Sequence, residues 1–288
     1  MRLRHGAAIL FWLCSLTFNS HAQPQPSERA ISELRTLGIR HYHARNFEAA
    51  AAAFRQALES QPEDPELNNN LGATYAAMGR HEEAIESLEK AVNGKPEFPE
   101  ALNGLGTAYY HLSDWTRARE FLERAITLRP DYDLARHNLG RVYLETGKWT
   151  KAKELFEAVV RRRPEFAEAQ QGLAVVLAYE GNFEAAITHL KEAVRIKPDY
   201  AEAHNSLGVA LYQQKHFQKS LEAISQAVRL NPDYDNAVYN LGLLQLVTKQ
   251  RAEAIAQYDK LKQRNPELAR ELYRGLYHGM ILSMRDQK

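Results

Sequence analysis

From Ile31 onward, apolar residues recur three or four positions apart in short blocks, and polar turns separate the blocks. That spacing puts them on one face of a helix. Leu102–Leu112 and Thr116–Leu128 form two such blocks around Ser113, Asp114 and Trp115. Leu105, Tyr109 and Leu112 share a face in the first, and Ala118, Leu122, Ala125 and Ile126 in the second. Proline follows the second block and stops it. At Asp64-Pro65, an N-cap residue and a first-turn proline start the next helix.

The unit repeats. Pro62, Pro96, Pro130, Pro164, Pro198, Pro232 and Pro266 follow one another in steps of 34 residues. Leu-Gly keeps the same step at Leu37-Gly38, Leu71-Gly72, Leu105-Gly106, Leu139-Gly140, Leu207-Gly208 and Leu241-Gly242, with Leu173-Ala174 in the open place. Small residues run through Ala50, Ala84, Ala118, Ala152, Ala186, Ser220 and Ala254. Bulky ones run through Phe54, Leu88, Leu122, Phe156, Leu190, Ile224 and Tyr258. A single helix pair cannot bury its apolar face, so the pairs must stack. Leu272, Leu276, Met280 and Met284, with Tyr273, Tyr277 and Ile281 beside them, supply a lid for the last pair.

These marks resemble the tetratricopeptide-repeat (TPR) family over residues 31–268. The family's first-helix aromatic stands at Tyr75, Tyr109 and Tyr143, and its turn glycine at Gly79, Gly147 and Gly181. Arg45, Ser113, Lys215 and Lys249 replace that glycine elsewhere. The resemblance implies an all-α, right-handed superhelical solenoid of seven helix-turn-helix repeats. Their expected bounds are 31–64, 65–98, 99–132, 133–166, 167–200, 201–234 and 235–268, with a capping helix over 269–288.

The start of the chain departs from this pattern. Arg2 and Arg4 precede an apolar run from Gly6 to Phe18, and Ser20-His21-Ala22 follows. That is the layout of a cleaved signal peptide, residues 1–22, with the cut after Ala22. The run is shorter than the roughly 20 residues a membrane span needs. A secreted or periplasmic protein is therefore expected, with no stable membrane span in the mature chain and a linker over 23–30. Cleavage removes Cys14, the one cysteine, and takes the formal net charge from +1 to −1. No disulfide then contributes, and the balanced charge speaks against a nucleic-acid binder.

Catalytic motifs are missing. The histidines from His41 to His278 form neither His-Glu-x-x-His nor a Cys/His zinc spacing, so no metal is expected. There is no phosphate-binding loop, dinucleotide fingerprint or nucleophile elbow, and no cofactor is called for. Adjacent Glu82 and Glu83 suit the start of a helix. Trp115 and Trp149 are expected to pack between repeats.

The family resemblance implies that the first helix of each repeat lines an inner groove. Carried over by position, the groove residues are Tyr42, Asn69, Asn103, Tyr110, Asn138, Gln171, Asn205, Tyr212, Tyr239 and Asn240. Amides in a row could match the donors and acceptors of an extended peptide. Alternatively, some asparagines only bond the neighbouring helix. Second-position Glu66, Glu100, Glu168 and Glu202 are expected to repel a carboxylate ligand. The expected function is a non-catalytic scaffold that binds an extended peptide or partner protein, within an envelope or secretion assembly. The alternative is glycan binding in polysaccharide export or cell-envelope biogenesis, since tyrosines and amides suit sugars too.

Overall fold

The computed structural model describes residues 28–278, with side chains through Leu276. The signal segment, Met280, Ile281, Met284 and the side chain of Tyr277 lie outside the described part. The described residues form fifteen helices and no strand. The pairs are α1 Glu28–His43 with α2 Phe47–Leu58, α3 Pro65–Ala77 with α4 His81–Gly94, and α5 Pro99–His111 with α6 Trp115–Leu128. Next come α7 Asp133–Glu145 with α8 Trp149–Arg162, α9 Ala167–Tyr179 with α10 Phe183–Ile196, and α11 Ala201–Gln213 with α12 Phe217–Leu230. Finally α13 Asp235–Val247 pairs with α14 Arg251–Arg264, and α15 Pro266–His278 closes the stack. Helix α1 begins inside the stretch expected as linker, and α15 begins three residues before the expected cap. Pro266, unable to sit inside α14, opens the new helix instead.

Local chemistry sets the helix ends. Asp64 Oδ1 accepts from the Leu67 N–H at 2.8 Å, the cap expected there. Asp114 and Asn182 cap α6 and α10 in the same way. Every first helix ends in one turn type. At the second repeat, Arg80 N–H donates to Tyr75 O and Gly79 N–H to Ala76 O, with Gly79 at φ 75°. This is the Schellman closure, which needs a left-handed residue. Arg45, Ser113, Lys215 and Lys249 take that conformation without being glycine, at φ 60–63°.

Each first helix touches the next first helix, whereas α2 to α12 of the second set touch only their chain neighbours. The first helices therefore lie on the inner side of the curve. Buried apolar residues run from Ile31 to Ala223 and again from Ile224 to Leu276. Leu105 and Tyr109 are buried as expected, but Leu112 is exposed at the start of the turn. Phe156 packs so tightly that an added Cβ at Gly140 or Gly172 would come within 2.7 Å of its ring. At the end of the array Leu268, Ala269, Leu272 and Leu276 are buried against α13 and α14. Tyr273 is 41% exposed at the edge of that face, with its ring against Tyr258 at 5.7 Å.

Candidate functional site

A cleft of about 600 Å³ opens on the inner face of the third to seventh repeats. His137, Arg141, Leu144 and Glu145, three or four apart on α7, form one wall. Glu168, Gln171, Gly172 and Val175 of α9 form its floor. Tyr200, Glu202 and Ser206, then Tyr234 and Asn236, close the far side. Tyr110 and Trp149 stand at the near end.

A side-chain ladder runs along the inner helices, and one of its rungs, Gln171 with Ser206, lies in the cleft. Positions 35 apart face each other between adjacent first helices. Asn138 Nδ2 donates to Asn103 Oδ1 at 2.9 Å, Gln171 Nε2 to Ser206 Oγ at 3.4 Å, and Asn240 Nδ2 to Asn205 Oδ1 at 3.1 Å. The rung between His137 and residue 172 is missing, because Phe156 leaves room only for glycine there. His137 is 8% exposed, and its Nδ1 has no hydrogen-bond partner among the described residues. Phe156 and Phe166 enclose its ring, with centroids at 5.6 and 5.2 Å. Burial, with a smaller push from Arg141, lowers its pKa to about 4, so the ring is neutral at pH 7.

The rest of the lining is aromatic and charged. The Arg141 guanidinium sits 4.2 Å from the Tyr110 ring centroid, and the Tyr110 hydroxyl donates to Glu145 at 3.1 Å. Trp149 stacks on Tyr179 with centroids 3.8 Å apart, as packing between repeats requires. Lys197 Nζ donates to Glu168 at 3.0 Å. Burial pushes the Glu168 carboxyl up, but this hydrogen bond with backbone and charge contributions leaves it below the usual range. Burial raises the Tyr200 phenol, and Glu168 and Glu202 add to the rise.

Of the ten groove residues expected from sequence, Tyr110 and Gln171 line the cleft. Asn103 and Asn138 are buried and bonded to each other, and Asn205 and Asn240 are fully buried. These four bond one another between neighbouring helices, because adjacent first helices lie close enough for their amides to meet. Tyr239 is buried in the core. Tyr42 and Tyr212 pack on Phe47 and Phe217 across their own turns. Asn69 is half-buried away from the cleft. The expected carboxylate repulsion is also reduced, since Glu66, Glu100 and Glu168 pair with Arg35, Arg129 and Lys197. Glu82 and Glu83 stand in the first turn of α4 as expected, and Glu83 also pairs with Arg80.

Sequence reading missed Arg141, Tyr200 and Tyr234, whereas Glu202 lines the cleft from one of the second positions named from sequence. A fifth mark was available for the tyrosines. Phe98, Tyr132, Phe166, Tyr200 and Tyr234 each stand two residues after a repeat proline and at the N-cap of a first helix. Among the described residues no group of three or more His, Cys, Asp or Glu could hold a metal ion. No described helix is long and apolar enough to cross a membrane.

Stacked helix pairs with an open inner cleft define a helical-repeat interaction protein. Family profiles described as TPR or tetratricopeptide repeats match residues 35–97, 97–165, 176–215 and 205–269. The chain belongs to the tetratricopeptide-repeat family. No curated protein matches it significantly. Among solved structures it is similar to the hetero-tetramer Cut9–Hcn1 of APC/C, with TM-score 0.75 and 18% identity, over 88% of this chain. It spans half the length of that matched chain. A tetratricopeptide repeat protein of Parabacteroides merdae gives 0.66 and 17%, over 85% of this chain and 98% of the other. YrrB, described as a TPR protein with an unusual peptide-binding site, gives 0.50 and 22%, over 69% and 99%. At these identities the likeness bears on the fold alone.

Proposed function

We propose that the protein is a non-catalytic scaffold, exported to an envelope or secretion assembly, that holds an extended segment of a partner protein in the inner cleft. The cleft itself carries this reading. It crosses several first helices, so a segment lying in it would touch consecutive repeats. Its lining combines ring faces with amide, hydroxyl and charged groups, the mixture that grips peptide without one deep pocket. YrrB offers a precedent for peptide binding on this fold.

The test starts from the exported chain, whose first residue by mass spectrometry should be Gln23. A random dodecapeptide phage library is panned against it, and enriched peptides are measured by calorimetry. The double variant Tyr110→Ala/Gln171→Ala should weaken them about tenfold or more, while Tyr42→Ala and Tyr212→Ala should not. Peptides that bind the double variant as well as wild type would remove the cleft as the site. Binding confined to a glycan array would favour the sugar reading instead.

A further inference from the structure

Six second helices open on a ring, at Phe47, His81, Trp115, Trp149, Phe183 and Phe217. Five of those rings meet another ring beside the turn. Tyr42 meets Phe47 at 5.6 Å, Tyr110 meets Trp115 at 5.2 Å and Tyr212 meets Phe217 at 5.6 Å. Each of these tyrosines stands five residues earlier, near the end of its own first helix. His81 stacks on His111 at 4.5 Å and Trp149 on Tyr179 at 3.8 Å, both partners coming from the next repeat. Such contacts cover ring area that would otherwise face water.

The fifth repeat differs. Ala178 occupies the place of Tyr42, Tyr110 and Tyr212. Phe183, five residues on, makes no ring contact among the described residues. In the place of the tyrosine lies a pocket of about 140 Å³, bounded by Ala178 and Phe183. Ala174 of α9 and Ala210 of α11, both buried, keep its walls apart. An apolar cavity of about 150 Å³ accepts benzene, so this pocket is the size of one ring. Val175 and Ser206 line both the pocket and the inner cleft. The pocket is therefore a side branch of the cleft, within reach of a chain lying there.

We propose that this pocket takes an aromatic side chain of the bound segment, seated against Phe183 between α9 and α11. The proposal rests on the peptide-scaffold reading and adds its ligand chemistry: a segment with one aromatic anchor. The partner supplies the ring that Tyr42, Tyr110 and Tyr212 supply from within the chain. A single anchor of this kind also fixes the segment's position along the cleft, which backbone contacts alone leave free to slide.

The test pans the dodecapeptide library against the full chain and measures the enriched peptides on Ala178→Tyr and Phe183→Leu. Wild type should enrich peptides with an aromatic residue at a fixed place. Replacing that residue by alanine should weaken binding about tenfold or more, as expected for one ring withdrawn from an apolar pocket. Ala178→Tyr restores the tyrosine of the other repeats. It should lose the same factor for the aromatic peptide, keep its affinity for the alanine-substituted one, and melt no lower than wild type. Phe183→Leu keeps the pocket apolar, removes the ring, and should weaken only the aromatic peptide. Enrichment without an aromatic preference, or full affinity for the aromatic peptide in Ala178→Tyr, overturns the inference and leaves the scaffold reading standing. Equal loss for both peptides in Ala178→Tyr and Phe183→Leu does the same. Self-association of the chain by light scattering, abolished in Ala178→Tyr, would give the pocket to a second copy and also overturn the inference. Enrichment of no peptide at all overturns both.

Discussion

Asn138 donates its side-chain amide to Asn103 across two neighbouring first helices, and both residues are at least nine-tenths buried. Thr107 Oγ1 accepts from the same Asn138 nitrogen at 3.1 Å. The pair thus fixes the register between the third and fourth repeats. Asn138→Ala leaves the Asn103 oxygen buried without its donor, at a cost of about 1–3 kcal/mol. Asn103→Ala/Asn138→Ala should cost less than the two single changes added together, because the two amides stabilise each other. Denaturant unfolding of all three variants measures this. Strict additivity, or unfolding like wild type accompanied by lost peptide affinity, would return these asparagines to the groove.

The fold was legible because each repeat contacts only its neighbours, so a local 34-residue pattern carries nearly all the packing. Leu139, Phe156 and Leu190 are buried where the periodicity put them. The site was less legible, because it depends on pairs from different repeats. Position alone does not tell whether an amide meets its neighbour or a ligand. Asn138 meets Asn103, whereas Gly172 offers His137 nothing, and that contrast arises from the bulk of Phe156 one layer out.

The turn positions give a second prediction. Seven first helices end in the same left-handed residue, and four of those residues carry a side chain that disfavours it. Ser113→Gly removes that strain and should stabilise the protein by up to about 1 kcal/mol, the gain being limited by glycine's greater freedom in the unfolded chain. Gly147→Ala, at φ 68°, should destabilise by about 1 kcal/mol. Thermal melts of the two variants should shift in opposite directions. Equal and unshifted melts would mean that the turns relax out of the left-handed conformation.

Acid should weaken the fold before its carboxylates are protonated. His137 is held at about 4, below its ordinary 6.5, chiefly by burial. Burial lowers His111 and His189 too. A depressed histidine binds its proton more readily in the unfolded chain. Its contribution is whole above pH 6.5, falls as the pH drops toward 4, and is lost below that. For His137 alone the total is about 3 kcal/mol, of which about 2 kcal/mol is gone by pH 5. Carboxylates with lowered values, such as Glu168, lose their share only below 4.5, so the interval from pH 6.5 to 5 isolates the histidines. Urea midpoints at pH 7 and pH 5 should therefore differ by more in wild type than in His137→Gln. Equal pH slopes in the two proteins would show that His137 is solvated and protonates freely, which would contradict its enclosure by Phe156 and Phe166.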